Sequence, residues 1–179
     1  MAEAALRLMR SLNRAVALVA GSAVLLCAAF IILEISLRQA GNSLGGTDEI
    51  SGYVMAAVTT WGLSYALLER AHVRIDLLRG RLAQAGRLFL DFVALIALSA
   101  VAILVAFRAY PVLEKSIANA SRANTPLETP LWIPQAFWLG GLVWFALMAV
   151  VLTLIAAGLI LRGQAPLAEE AIGPPGEPS

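Results

Sequence analysis

The chain of 179 residues contains one cysteine, one histidine and few charges, which make up 14% of its residues. The single cysteine, Cys27, excludes an internal disulfide and any multi-cysteine metal site, and it reads as a small apolar residue within a helix. Leu26 stands before it where a lipidation signal wants a small side chain, so an acylated cysteine is not expected either. With His72 as the sole histidine, one chain cannot supply two histidine axial ligands to a haem, and any metal site would borrow its ligands from elsewhere. Charge this scarce, beside 60% hydrophobic residues and a mean hydropathy of +0.80, is too little to solvate the surface of a water-soluble domain. The chain therefore reads as an integral membrane protein. The net charge of +1 carries no nucleic-acid-binding patch, and no internal repeat is visible.

Long apolar runs fill the space that charge leaves. Charge-free stretches cover Ala15 to Leu33, Ile50 to Leu68 and Ala136 to Leu161, each near the ~20 residues that cross a bilayer core as helix. A further stretch, Leu88 to Phe107, is broken only by Asp91, whose place in its first turn lets the carboxylate reach the headgroups. These runs predict an all-α membrane domain over 1–162, with four transmembrane helices at about 15–37, 50–68, 88–108 and 136–161. The first run is too long for a secretory h-region and is expected to stay as an anchor. Residues 163–179, rich in Pro, Gly and Glu, are expected to form a disordered tail. Pro111, Pro126, Pro130 and Pro134 predict a partly extended segment over 109–135, near the membrane surface.

Orientation follows from the asymmetry of basic residues. With the N-terminus in the cytoplasm, inside segments hold Arg7, Arg10, Arg14, Arg70, Arg74, Arg79, Arg81, Arg87 and Arg162, whereas outside segments hold only Arg38, Arg108, Lys115 and Arg122. The excess places both termini in the cytoplasm. Glu34 then lies near the outer end of the first helix and Asp91 near the inner end of the third, too far apart to pair. Arg87, four residues before Asp91, is placed to neutralise it along the helix.

In the second run, Gly52, Ala56, Thr60 and Ser64 recur every four residues along one helix face. Small side chains allow close backbone approach and hydroxyls bond across the contact, so this face suits packing within the subunit or against a partner subunit. After it, His72, Arg74 and Asp76 alternate with Val73, Ile75 and Leu77, giving a polar and an apolar edge to an extended segment. No catalytic constellation is visible.

The order of these features resembles a known family. Arg38 ends the first helix, Asp48-Glu49 precede Ser51-Gly52-Tyr53, Trp61-Gly62 follow, and then comes His72-Val73-Arg74-Ile75-Asp76-Leu77-Leu78. Thr125-Pro126, Pro130-Leu131-Trp132-Ile133-Pro134 and Gly140 lead into the last helix. Over roughly residues 15–160 this resembles the DctQ-like small membrane subunit of tripartite ATP-independent periplasmic (TRAP) transporters. Leu139 stands where that pattern suggests a further proline.

The resemblance implies a multi-pass protein of the cell inner membrane that is not an enzyme. Its implied partners are a large TRAP membrane subunit, a periplasmic solute-binding protein and membrane lipids. Import of organic acids is driven by a sodium gradient coupled in the large subunit, with no cofactor in this chain. The small subunit serves as scaffold, with Arg38, Asp48 and Glu49 at the outer side and His72, Arg74 and Asp76 at the inner side as contacts to the large subunit or to headgroups. A redox-complex membrane anchor, a stand-alone small carrier and a purely structural or sensory membrane protein are the alternatives. No charged group falls at mid-depth of any run, as a self-sufficient carrier would usually show.

Overall fold

In the computed structural model, residues 2–71 and 82–173 are described, and they are helical apart from short connections. Helix α1 spans Ala2–Gln39, α2 Thr47–Leu68, α3 Gln84–Ala118, α4 Trp132–Leu161 and α5 Ala165–Ile172. Three of them, α1, α3 and α4, are long and apolar enough to cross a membrane. Helix α2, with 22 residues, is about 33 Å long, but Ser, Thr, Tyr and Gly dilute its apolar character.

The long helices stand in the order α1, α2, α4, α3, so that α4 is packed on two sides and α1 never meets α3. The central position suits α4, which is apolar around its circumference, as a helix buried among others should be. On α3 the buried residues Leu88, Asp91, Leu95, Ser99, Ala102, Ala109 and Ser116 follow three- and four-residue steps. Phe145, Ala149, Leu152, Ala156 and Leu159 of α4 follow the same rhythm. Such spacing keeps one seam of each helix facing its neighbour. Within the seam Ser99 Oγ and Thr153 Oγ1 lie 2.9 Å apart, so that one hydroxyl donates to the other while the other donates to the carbonyl four residues earlier on its own helix. Their hydrogen-bonding capacity is thus used inside the fold.

The helices run past the expected spans. Helix α1 is already helical at Ala2, because Arg7, Arg10 and Arg14 are good helix formers and its N-terminal half packs through Met9 and Asn13. Helix α3 continues through Pro111 to Ala118, correcting the expectation of an extended segment from residue 109. The Pro111 ring removes the backbone bond to the Phe107 carbonyl. Packing outweighs that loss: Ala109 and Ser116 are buried, and Leu113 rests on the cluster of Ala109, Leu139 and Leu142. The connection to α4 is extended only briefly, at the antiparallel bridge Arg122–Pro130.

The expected disordered tail is corrected over residues 165–172, which form α5. Pro166 sits in its first turn, where the missing N–H is not needed, and Ala168, Ala171 and Ile172 form a buried stripe. That stripe packs on α3 and α4. Arg87 Nε lies 3.3 Å from Glu169, Gln84 donates to Glu169, and Arg70 donates to the carbonyls of Glu170 and Gly173 at the end of α5. Residues 174–179 lie outside the described part.

Candidate functional site

The described candidate residues fall around the α1–α2 connection and along α2. Near the C-terminal end of α1, Glu34 is buried and accepts hydrogen bonds from Ser43 Oγ at 2.6 Å and from the Leu44 backbone N–H at 2.9 Å. Arg38 reaches Glu34 at 3.3 Å with most of its own side chain exposed. One carboxylate thus ties the α1–α2 connection to the helix it leaves. Sequence reading placed Glu34 at the outer end but gave it no partner, because Ser43 and Leu44 approach only after the turn through Gly41 is made.

Gly46 begins α2 in the left-handed region, with φ of +73°. A Cβ here would run into the side chain of Leu127 from the α3–α4 connection, so glycine is required by conformation and by space. One turn on, half-buried Glu49 accepts from Tyr53 Oη at 2.7 Å and from the hydroxyl of Thr125. The Thr125 hydroxyl, and then that of Thr129, hold the Glu49 carboxyl below the usual carboxylate range, against the opposing effect of desolvation. The α3–α4 connection is therefore clasped to the start of α2. Asp48, beside Glu49, is exposed in the first helical turn.

This clasp carries a pH dependence. A carboxyl whose folded pKa is depressed stabilises the fold above its unfolded pKa, and that contribution disappears as pH falls through the folded value. Acidification below the ordinary carboxylate range should therefore release residues 121–131, seen as faster amide exchange after correction for the intrinsic rate. Glu49→Gln should abolish the acid-triggered step; an unchanged step would dismiss Glu49 as its origin.

On α2 the four-residue stripe divides. Thr60 and Ser64 are buried, whereas Gly52 and Ala56 are exposed. The buried half meets α4 at Gly141, where an added Cβ would lie 2.8 Å from the Trp61 backbone nitrogen and closer still to the Thr60 side chain. Trp61 donates from Nε1 to the Phe137 carbonyl at 2.9 Å and stacks on Trp144, with ring centroids 6.3 Å apart. Trp144 Nε1 donates in turn to Asn13 Oδ1 at 3.1 Å, and Asn13 Nδ2 donates to the Met9 carbonyl. One polar and aromatic chain thereby ties α1, α2 and α4 together. Sequence reading missed Asn13 and Gly141, since each acquires a role only from a partner on another helix.

His72, Arg74 and Asp76 lie outside the described residues. Among the described residues no three of His, Cys, Asp and Glu come together as a metal site would require. Cys27 is buried in α1. The flanks of the row remain open: Leu18, Leu25, Leu26 and Ile32 on α1, and Phe89, Val101 and Phe107 on α3, are largely exposed apolar side chains. The arrangement positions helices and connections, and it leaves two broad greasy faces for lipid or for another protein.

The family model described as "Tripartite ATP-independent periplasmic transporters, DctQ component" matches residues 27–162. No curated protein and no solved structure matches the chain.

Proposed function

The chain belongs to the DctQ component family of tripartite ATP-independent periplasmic transporters, and on that premise we propose that it is the fixed brace of a sodium-driven importer of organic acids. It is a small membrane component of a transporter, and its family is not an enzyme family. In the proposed arrangement it crosses the inner membrane four times with both termini in the cytoplasm. Arg7, Arg10, Arg70, Arg87 and Arg162 all sit at the ends of helices that gather around α5, which supports that end as the cytoplasmic one. Helix α2 would be the fourth span. It lies between α1 and α4, and Thr59, Thr60 and Ser64 donate to carbonyls three or four residues back, which lowers the cost of placing them in the membrane.

The observation that carries the bracing role is the row itself. A self-contained bundle turns its apolar faces inward around one core, whereas here α1 and α3 present their apolar flanks along much of their length. A row of rigid helices widens whatever it attaches to, and an element that slides through the bilayer needs such a frame to slide against. The proposed partners are a large membrane subunit, held permanently, and a periplasmic solute-binding protein that delivers the acid. Arg38, Asp48 and Glu49 outside, and His72, Arg74 and Asp76 inside, are the proposed contacts. Sodium coupling belongs in this reading to the large subunit.

Reconstitution tests the proposal. Proteoliposomes containing the large subunit and the binding protein should take up acid in a sodium gradient only when this chain is present, and Arg74→Ala or Asp76→Ala should reduce its co-purification with the large subunit. Uptake by this chain alone would favour a carrier, and undiminished uptake without it would remove the bracing role.

A further inference from the structure

The N-terminal turns of α1 pass beside the C-terminal end of α4, and after Arg162 the chain reverses at Gly163, whose φ of +70° permits the tight turn into α5. Between these three segments lies a cavity of about 500 Å³. Arg7 and Arg10 enter its wall from α1, Arg162 from the end of α4, and Leu159 and Leu167 give it an apolar portion. Glu170 is the carboxylate among its lining residues.

The three arginines differ from the others already described. Arg38 is spent on Glu34, Arg87 approaches Glu169 and Arg70 caps α5. Among the described residues, Arg7, Arg10 and Arg162 have no carboxylate within ion-pair distance. Three arginines line one hollow and, among the described residues, a single acid lines it with them, which gives the site a net positive charge. The guanidinium fork matches the oxygens of a phosphate, and the leucines suit the glycerol and first methylenes beneath it. Arg7 and Arg10 precede the first span and Arg162 follows the last, so on the proposed topology the hollow lies at headgroup depth in the cytoplasmic leaflet, where basic pockets between helices take anionic lipids.

We propose that this cavity binds the phosphate-bearing headgroup of an anionic phospholipid, locking the first helix to the last at the inner membrane face. The depth of the site rests on the proposed four-span topology; the headgroup chemistry rests on the arginines alone.

The test uses the full-length chain, purified in mild detergent, stripped of lipid and observed by native mass spectrometry. It is offered phosphatidylglycerol and phosphatidylcholine in equal amounts, and separately inorganic phosphate. The wild type should retain phosphatidylglycerol in clear excess. Each Arg→Gln change at residues 7, 10 and 162 should weaken that binding roughly fivefold, and the triple variant on the order of a hundredfold, down to the phosphatidylcholine level. Glu170→Gln should strengthen it, a gain that unfolding cannot produce, and Arg108→Gln at the opposite end should leave it unchanged. Equal retention of the two lipids, or undiminished phosphatidylglycerol retention by the triple variant, would overturn the proposal. Saturation by inorganic phosphate with no preference between lipids would overturn the lipid source and leave a free phosphate site. No outcome depends on transport or on a partner, so failure here is distinguishable from failure of the bracing role.

Discussion

Gly141→Leu should abolish the stable fold, seen as loss of the monodisperse peak in detergent chromatography and of a cooperative thermal transition. The reason is local and steric. A Cβ at this position would already press on the Trp61 backbone nitrogen and on the Thr60 side chain, and backbone cannot move aside as a flexible side chain does. Gly141→Ala is the graded form, expected to cost about 1–3 kcal/mol as overpacked cores do. Leucine adds three more carbons to the same gap and must push α2 off α4, taking with it the Trp61 bond to Phe137 and the stacking on Trp144. Thr60→Ala should partly rescue Gly141→Ala, because it removes the hydroxyl that the new methyl would strike. A Gly141→Leu protein that melts as the wild type does would mean that α2 and α4 are not in backbone contact.

The second large effect is expected at Asn13, which is fully buried and is the point where α1 bonds to α4. Asn13→Leu keeps the volume close to native but strips the acceptor from the Trp144 indole N–H, a loss of about 1–2 kcal/mol. Helices α1 and α4 share little other contact, so the inner half of α1 should loosen, with faster exchange over residues 6–14 and a changed tryptophan emission. Trp144→Phe should cost a similar amount by leaving the asparagine carbonyl unpaired. The double variant should cost less than the two singles combined, since both remove one bond. Strict additivity would show that the 3.1 Å contact contributes nothing.

These two sites show where reading the chain succeeded and where it stopped. The apolar runs placed the helices because a spanning segment is a property of consecutive residues: length and hydropathy alone bring it into the membrane. The stripe Gly52, Ala56, Thr60 and Ser64 was visible for the same reason, as a matter of spacing on one helix. Its division into a buried and an exposed half was not visible, because it depends on where α4 presses closely on α2, at Thr60 and Trp61 opposite Gly141. Glycines are common in membrane helices, and Gly141 among them has no special pattern until Thr60 and Trp61 stand opposite it. Asn13 likewise reads as an ordinary polar residue flanking a span. Glu49 stands out by its place at the start of α2, yet beside the local bond from Tyr53 it is held by threonines 76 and more residues away.

The tail and the third helix teach the complementary lesson. Composition favoured disorder after residue 162 and a break at Pro111, since both readings rest on local propensity. Local propensity is worth tenths of a kcal/mol to a few kcal/mol per residue, and a packed face exceeds it. Ala168 and Ile172 gain burial against α3 and α4, and Leu113 and Ser116 keep α3 helical beyond its proline. The residues' own order was enough for membrane residence, the main helices and the family. The neighbours across space decided the α1, α2, α4, α3 order, the clasp at Glu49, the glycine contact at Gly141 and the basic hollow of Arg7, Arg10 and Arg162. The division has one physical origin: partition into lipid sums over adjacent residues, whereas a hydrogen bond, a steric fit or a shared charge site exists only once distant segments have been brought within a few ångströms of each other.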